Sequence, residues 1–186
     1  MTKEALYDSL NYVNHSREKR SEMAQLILQN PNLVRPLLQI AFDVDDPISN
    51  RACWVMEFTA KEHLDYLLPH INMFIKNIHR VHQDSAVRPI AKICEFLTLA
   101  YFSKTSNPVQ QTLNTSHLEK IASSCFDWLI GDHKVAAQAY SMTCLLLLGR
   151  KFDWINPELK MVLEQNYPSG SAAYKARARH TLAKLK

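Results

Sequence analysis

A segment of this chain repeats itself. Asp46 to Phe58 overlays Asp84 to Phe96 at a shift of 38 positions, with the acid, a small residue (Cys53 over Ala91), a branched apolar residue (Val55 over Ile93) and a Glu-Phe pair (Glu57-Phe58 over Glu95-Phe96) all coinciding. A further shift of 48 reaches Asp132, Val135, Ala136, Ala139 and Cys144, and a further 39 reaches Ser171, Tyr174, Lys175 and Ala178. A period near 38 residues accommodates two antiparallel helices, neither of which can bury its apolar stripe alone, so consecutive pairs must stack and share a core. The ten extra residues of the middle interval coincide with the polar stretch Ser103 to Thr115, which reads as a loop or local insertion.

The rest of the sequence agrees with an all-helical chain. Thr2 precedes a short first helix to Tyr12, and Ser16 reads as the N-cap of a second helix to Gln29, with Met23, Leu26 and Ile27 as its apolar stripe and Arg17 to Arg20 facing water. Further helices are predicted from Pro31 to about Ala41, Pro47 to Ala60, Pro69 to His79, Ser85 to Phe102, Ser116 to Leu129, Asp132 to Leu147, Asp153 to Gln165 and Ser171 to Leu185. His63 to Leu68 reads as a short helical linker, and no stretch alternates long enough to supply a sheet. In the repeats, the small residues Cys53, Ala91, Ala139 and Ala178 allow close helix approach, and Asp46, Asp84, Asp132 and Ser171 read as caps of each second helix.

The block Asp84, Val87, Arg88 and Ala91 carries an Asp-x-x-Val-Arg-x-x-Ala pattern, and Asp132, Val135 and Ala139 repeat it with Ala136 in the arginine position. In these residues the chain resembles the HEAT-like helical-repeat superfamily, with its ARM-like fold. The resemblance implies a right-handed α-α superhelix of about four helix pairs plus an N-terminal helical cap, with residues 1–186 as one domain. It implies little about activity.

Several function classes are excluded by content. Only 3 glycines occur, and neither G-x-G-x-x-G nor G-x-x-x-x-G-K-[ST] is present, which argues against an ordinary dinucleotide or P-loop site. The longest strongly apolar run lies near Met142 to Leu148, too short for a membrane span. The N-terminus carries an acid followed by polar sequence and does not read as a secretory leader, so a cytoplasmic location is expected. Cys53, Cys94, Cys125 and Cys144 lie far apart among apolar neighbours and read as reduced core thiols. His79-x-x-His82-x-Asp84 is the one compact histidine and carboxylate cluster, but His82 falls at a helix end and Asp84 serves better as a cap. Cys125 and His133 have no third orienting group, so no catalytic residue, metal or cofactor is expected.

In a curved stack the second helices line the concave side, and their polar positions are the first place to seek a partner. These are Asn50, Arg51, Glu57 and Lys61; Arg88, Lys92 and Glu95; Lys134 and Gln138; and Lys175 and Arg179 with Arg177. Glu57 and Glu95 occupy the same repeat position, so they should stand on neighbouring helices. Charge is uneven: residues 41–75 hold two basic and six acidic groups, residues 76–115 five and two, and residues 158–186 six and two. The leading expectation is a noncatalytic protein-binding scaffold that uses the concave face. The alternative is nucleic-acid binding, since the DNA alkylation repair glycosylases form a branch of the resembled superfamily and excise bases through aromatic and acidic residues in a concave cleft. Trp54, Trp128 and Trp154 read instead as core or inter-helix aromatics. A small enzyme on a nucleotide-like substrate is the third reading.

Overall fold

The computed structural model describes residues 1–185; Lys186, the last of the C-terminal basic residues, lies outside them. The described residues form helices and no strand: α1 (Lys3–Leu10), α2 (Arg17–Gln29), α3 (Val34–Ala41), α4 (Ser49–Glu62), α5 (Ile71–Asn77), α6 (Asp84–Tyr101), α7 (Pro108–Thr112), α8 (Thr115–Ile130), α9 (Val135–Leu148), α10 (Ile155–Asn166) and α11 (Ala172–Leu182). Tighter 3₁₀ turns occupy Pro31–Leu33, Leu64–His70 and Ile78–Arg80. None of these helices is long and apolar enough to cross a membrane.

Two rows of helices emerge from the packing. α2, α4, α6, α9 and α11 succeed one another, each against the next, while α3 lies on α4, α8 on α9, and α10 on both α9 and α11. A continuous apolar core runs between the rows, from Leu6 through Phe74 and Leu97 to Ala178. Cys53, Ala91 and Ala178 are fully buried in it, as their small size at the repeat position requires. Ala139 is only half-buried.

Caps show where local rules hold and where tertiary contacts override them. Thr2, Ser16 and Ser171 each accept a backbone N–H of the first turn that follows, as expected for hydroxyl caps. The aspartates do not act this way. α6 begins at Asp84 itself, Gln83 holds the cap position, and the Asp84 carboxylate is taken by His133 Nδ1 at 2.9 Å. The Gln83 carbonyl takes the otherwise orphan N–H of Ala86 together with the first regular helical bond, from Val87. Asp46 accepts the Ile48 N–H and the Tyr7 hydroxyl, which holds a turn and delays α4 to Ser49. Asp132 lies three residues ahead of α9, with Lys134 at the cap position.

Two other expectations change. The helix expected from Pro69 to His79 is divided, because Pro69 sits within the 3₁₀ segment and α5 starts only at Ile71. The stretch read as a loop at Ser103 to Thr115 contains α7, held by a capping box between Asn107 and Gln110.

Candidate functional site

The side of the molecule where α2, α4, α6 and α9 meet carries two contiguous open depressions of about 330 and 340 Å³. Both are lined by Arg20 and Arg88; the first adds His15, Trp54, Asp84 and Lys134, the second Arg17, Glu57, Lys61 and Tyr140. The lining thus holds five Lys or Arg side chains against two carboxylates.

Its floor is set by a proline. Pro89 lies inside α6 and has no N–H to give to the carbonyl four residues back, which is that of Ser85. The freed Ser85 carbonyl accepts the Trp54 indole N–H at 2.6 Å, so the ring is anchored across from α4 to α6 and is only 8% exposed. The Arg20 guanidinium lies over this ring, 4.5 Å from its centroid, and the His15 ring lies tilted against it, with centroids 5.1 Å apart. Arg20 Nε donates to the Asn14 carbonyl at 3.2 Å, and burial, followed by the neighbouring Arg88 charge, lowers its pKa against the opposing pull of Glu57.

Next along the row, Arg88 reaches from α6 to α4 and grips both oxygens of the buried Glu57 carboxylate, at 3.0 and 2.6 Å. Burial opposes the Arg88 charge, and the hydrogen bonds and charge of Glu57 outweigh it, leaving the Arg88 pKa raised. Lys92 is paired with the buried Glu95 at 2.5 Å, and its ammonium lies 4.4 Å from the Tyr140 ring and 5.0 Å from that of Phe96. The two repeat-related glutamates therefore stand on the adjacent helices α4 and α6, each neutralised by a cation of α6.

The remaining expected residues are divided by the fold. Lys61 and Lys134 are exposed at the rim of the same depressions. Asn50 donates to Gln83 at 2.7 Å, and Arg51 donates to the Asn11 carbonyl at 2.9 Å, tying α4 to the end of α1. Gln138 lines a different depression, beside Tyr174 and the Gly131 and Gly170 turns. Arg179 lies toward α10 with Glu164 and Tyr167, and Lys175 is half-buried on α11. It is Arg177 that reaches from α11 to α9, donating to Thr143. Arg17, Arg20, Trp54 and Tyr140 were not among the expected site residues. The signal for Arg20 was its spacing of three from Met23, which puts it on the packed side of α2.

The other clusters resolve differently. His82 is exposed and faces the Arg80 carbonyl, while Asp84 is engaged by His133. Among the described residues no group of three or more His, Cys, Asp or Glu side chains is placed to hold a metal ion. All four cysteines are buried and free; Cys125 meets Cys144 with Cys94 beside them, and burial pushes Cys53 up to about 12. Trp128 is a core residue, whereas Trp154 is half exposed and stacks on Phe126 at 5.7 Å.

A family model for the HEAT repeat domain matches residues 8–185. The chain belongs to the HEAT repeat domain family. Neither the curated proteins nor the solved structures compared with it include a match. As a HEAT repeat chain it has the all-α architecture and shared core that the 38-residue period demands.

Proposed function

We propose that this HEAT repeat chain is a noncatalytic scaffold that holds a protein partner on the face formed by α2, α4, α6 and α9. In this reading the chain is one domain, a right-handed superhelix of four helix pairs with α1 and α2 as its N-terminal cap, working in the cytoplasm. The observation that supports it is the pair of contiguous, open depressions sharing Arg20 and Arg88. Such an extended shape suits a segment of polypeptide better than a small molecule, which binds in a concave site that encloses most of its surface. Glu57, Arg88, Lys92 and Glu95 hold this face in shape, and Lys61 and Lys134 supply its rim.

A photo-crosslinking amino acid placed at Lys61, at Lys134 or at Lys160 on α10 tests the proposal in the native cell. Defined protein adducts from the first two positions, absent from the third, are the expected result. Adducts to nucleic acid at Lys61 and Lys134, or the same proteins from all three positions, would overturn it.

A further inference from the structure

The cations of the groove are not equivalent. Arg88 is committed to Glu57 and Lys92 to Glu95. Arg20 makes no ion pair among the described residues, and only its Nε has a protein acceptor. Its guanidinium is nonetheless fixed, by the Trp54 ring on one face and the Asn14 carbonyl at Nε, so the terminal nitrogens of the fork are held in the depressions with no carboxylate of the described residues bonded to them, although Glu57 lies near enough to favour the charge. A planar guanidinium fixed in this way loses little freedom when it takes a carboxylate through two parallel hydrogen bonds.

The aromatic faces point the same way. Trp54 is covered by Arg20 and His15, and Tyr140 by Lys92. A nucleobase seeking to stack here would have to displace a cation from each ring, and stacking is the usual sequence-tolerant anchor for single strands. Asp84 and Glu57 also interrupt the basic lining. A continuous polyanion would be driven past both carboxylates. A peptide with spaced carboxylates can match the cations and offer backbone N–H groups to the acids.

We infer that this groove binds an acidic peptide segment of its partner, with one carboxylate of the peptide seated on Arg20 between Trp54 and Arg88 and neighbouring ones on Arg17 and Lys134. The inference rests on the proposed scaffold reading and adds the chemistry of the partner. Arg20 is its specificity-determining residue.

The test uses fluorescence anisotropy with the full chain, at low salt (about 50 mM) where exposed charges are weakly screened. The probes are a labelled dodecapeptide of alternating Glu and Gly, its Gln-Gly counterpart, and a short DNA duplex. Arg20→Gln should leave the fold intact, since Arg88 rather than Arg20 makes the bonds to the buried Glu57 carboxylate, and a thermal melt verifies this. The Glu-Gly peptide should bind at least tenfold more tightly than the Gln-Gly peptide, Arg20→Gln should lose about tenfold, and Arg20→Lys should recover only part because it lacks the fork. No binding of the Glu-Gly peptide, unchanged binding by Arg20→Gln, or tighter binding of the duplex would overturn the inference. Protein crosslinks at Lys61 and Lys134 that persist in Arg20→Gln would overturn it while leaving the scaffold reading standing; their absence in the parent chain removes that reading itself.

Discussion

Replacing Arg88 with methionine removes both hydrogen-bond donors from a carboxylate whose side chain is 11% exposed, while the Arg88 side chain is itself 29% exposed. Stranding a fully buried charge costs about 3–5 kcal/mol, and the solvent that reaches this pair from the Arg88 side lowers that to about 2–3 kcal/mol. Glu57→Gln is milder, about 1 kcal/mol, because the amide oxygen still accepts one bond and the more exposed guanidinium can hydrate. The double variant Glu57→Met, Arg88→Met strands nothing and should lie within about 1 kcal/mol of the parent, as matched apolar replacements of buried pairs often do. Urea unfolding followed by circular dichroism at 222 nm, with unchanged m, gives each stability. At about 2–4 °C per kcal/mol for a chain of this size, Arg88→Met should lower Tm by about 4–12 °C. If Arg88→Met costs no more than Glu57→Gln, or the cycle closed with the single variant Glu57→Met gives a coupling below about 0.5 kcal/mol, the pair does not anchor α6 to α4 as described.

Three further outcomes follow from the same geometry. At pH 8 the native chain should resist a thiol-specific disulfide reagent, because its thiols are buried and burial raises Cys53, Cys94 and Cys125, and four thiols should react once urea unfolds it; fast native labelling of two or more would contradict the core placement. His117, whose Nδ1 accepts the Asn114 N–H and whose Nε2 faces Asn72, has its pKa lowered from 6.5 by burial and then by Lys120. The unfolded chain therefore binds more protons just below pH 6.5, so this contribution is complete above that pH and is lost as pH falls toward the depressed folded value. His117→Gln should flatten the fall of Tm between about pH 7 and 5, and an unchanged slope would refute the assignment. Arg177→Ala, which breaks the bond to Thr143, should cost about 1 kcal/mol by urea unfolding, whereas Lys175→Ala should stay within about 0.5 kcal/mol; equal losses would contradict the placement of α11.

The architecture was legible because the constraint is periodic and local. Ser16 and Ser171 cap where a hydroxyl ahead of an apolar stripe should, and Cys53, Ala91 and Ala178 bury where a small residue recurs. Glu57, Arg88, Lys92 and Glu95 could be named because each sits in the repeat register. Arg20 was not, since α2 precedes the first copy of the repeat and the solvated-face composition of the run from Arg17 to Arg20 outweighs its spacing of three from Met23. Asp84 misled for the opposite reason. Its position fits a cap, but His133, 49 residues away in sequence, supplies a partner that no local pattern encodes. The breaks around Pro69 depend likewise on how the segment lies against α4 and α7.

The row of α2, α4, α6, α9 and α11 repeats one device that apolar packing alone does not provide. Two pairs of adjacent helices are linked by a donor from one to an acceptor on the other: α4 and α6 by the Trp54 indole to the Ser85 carbonyl and the Arg88 guanidinium to Glu57, and α9 and α11 by the Arg177 guanidinium to Thr143. Apolar contacts are nearly indifferent to a small slide of one helix along another, whereas a directional bond to a part-buried donor loses most of its value when misaligned. The links therefore fix the register of α4 against α6 and of α9 against α11 and, with it, the spacing of the side chains these pairs carry. A surface held in this way needs little reordering when it binds, which leaves more of the contact energy for affinity. Arg20 has the geometry of the same device, with its ring support and its Nε acceptor in place, yet no carboxylate on the neighbouring helix completes it. A carboxylate brought by a partner would fill the position that Glu57 fills for Arg88, at a guanidinium already in place to receive it.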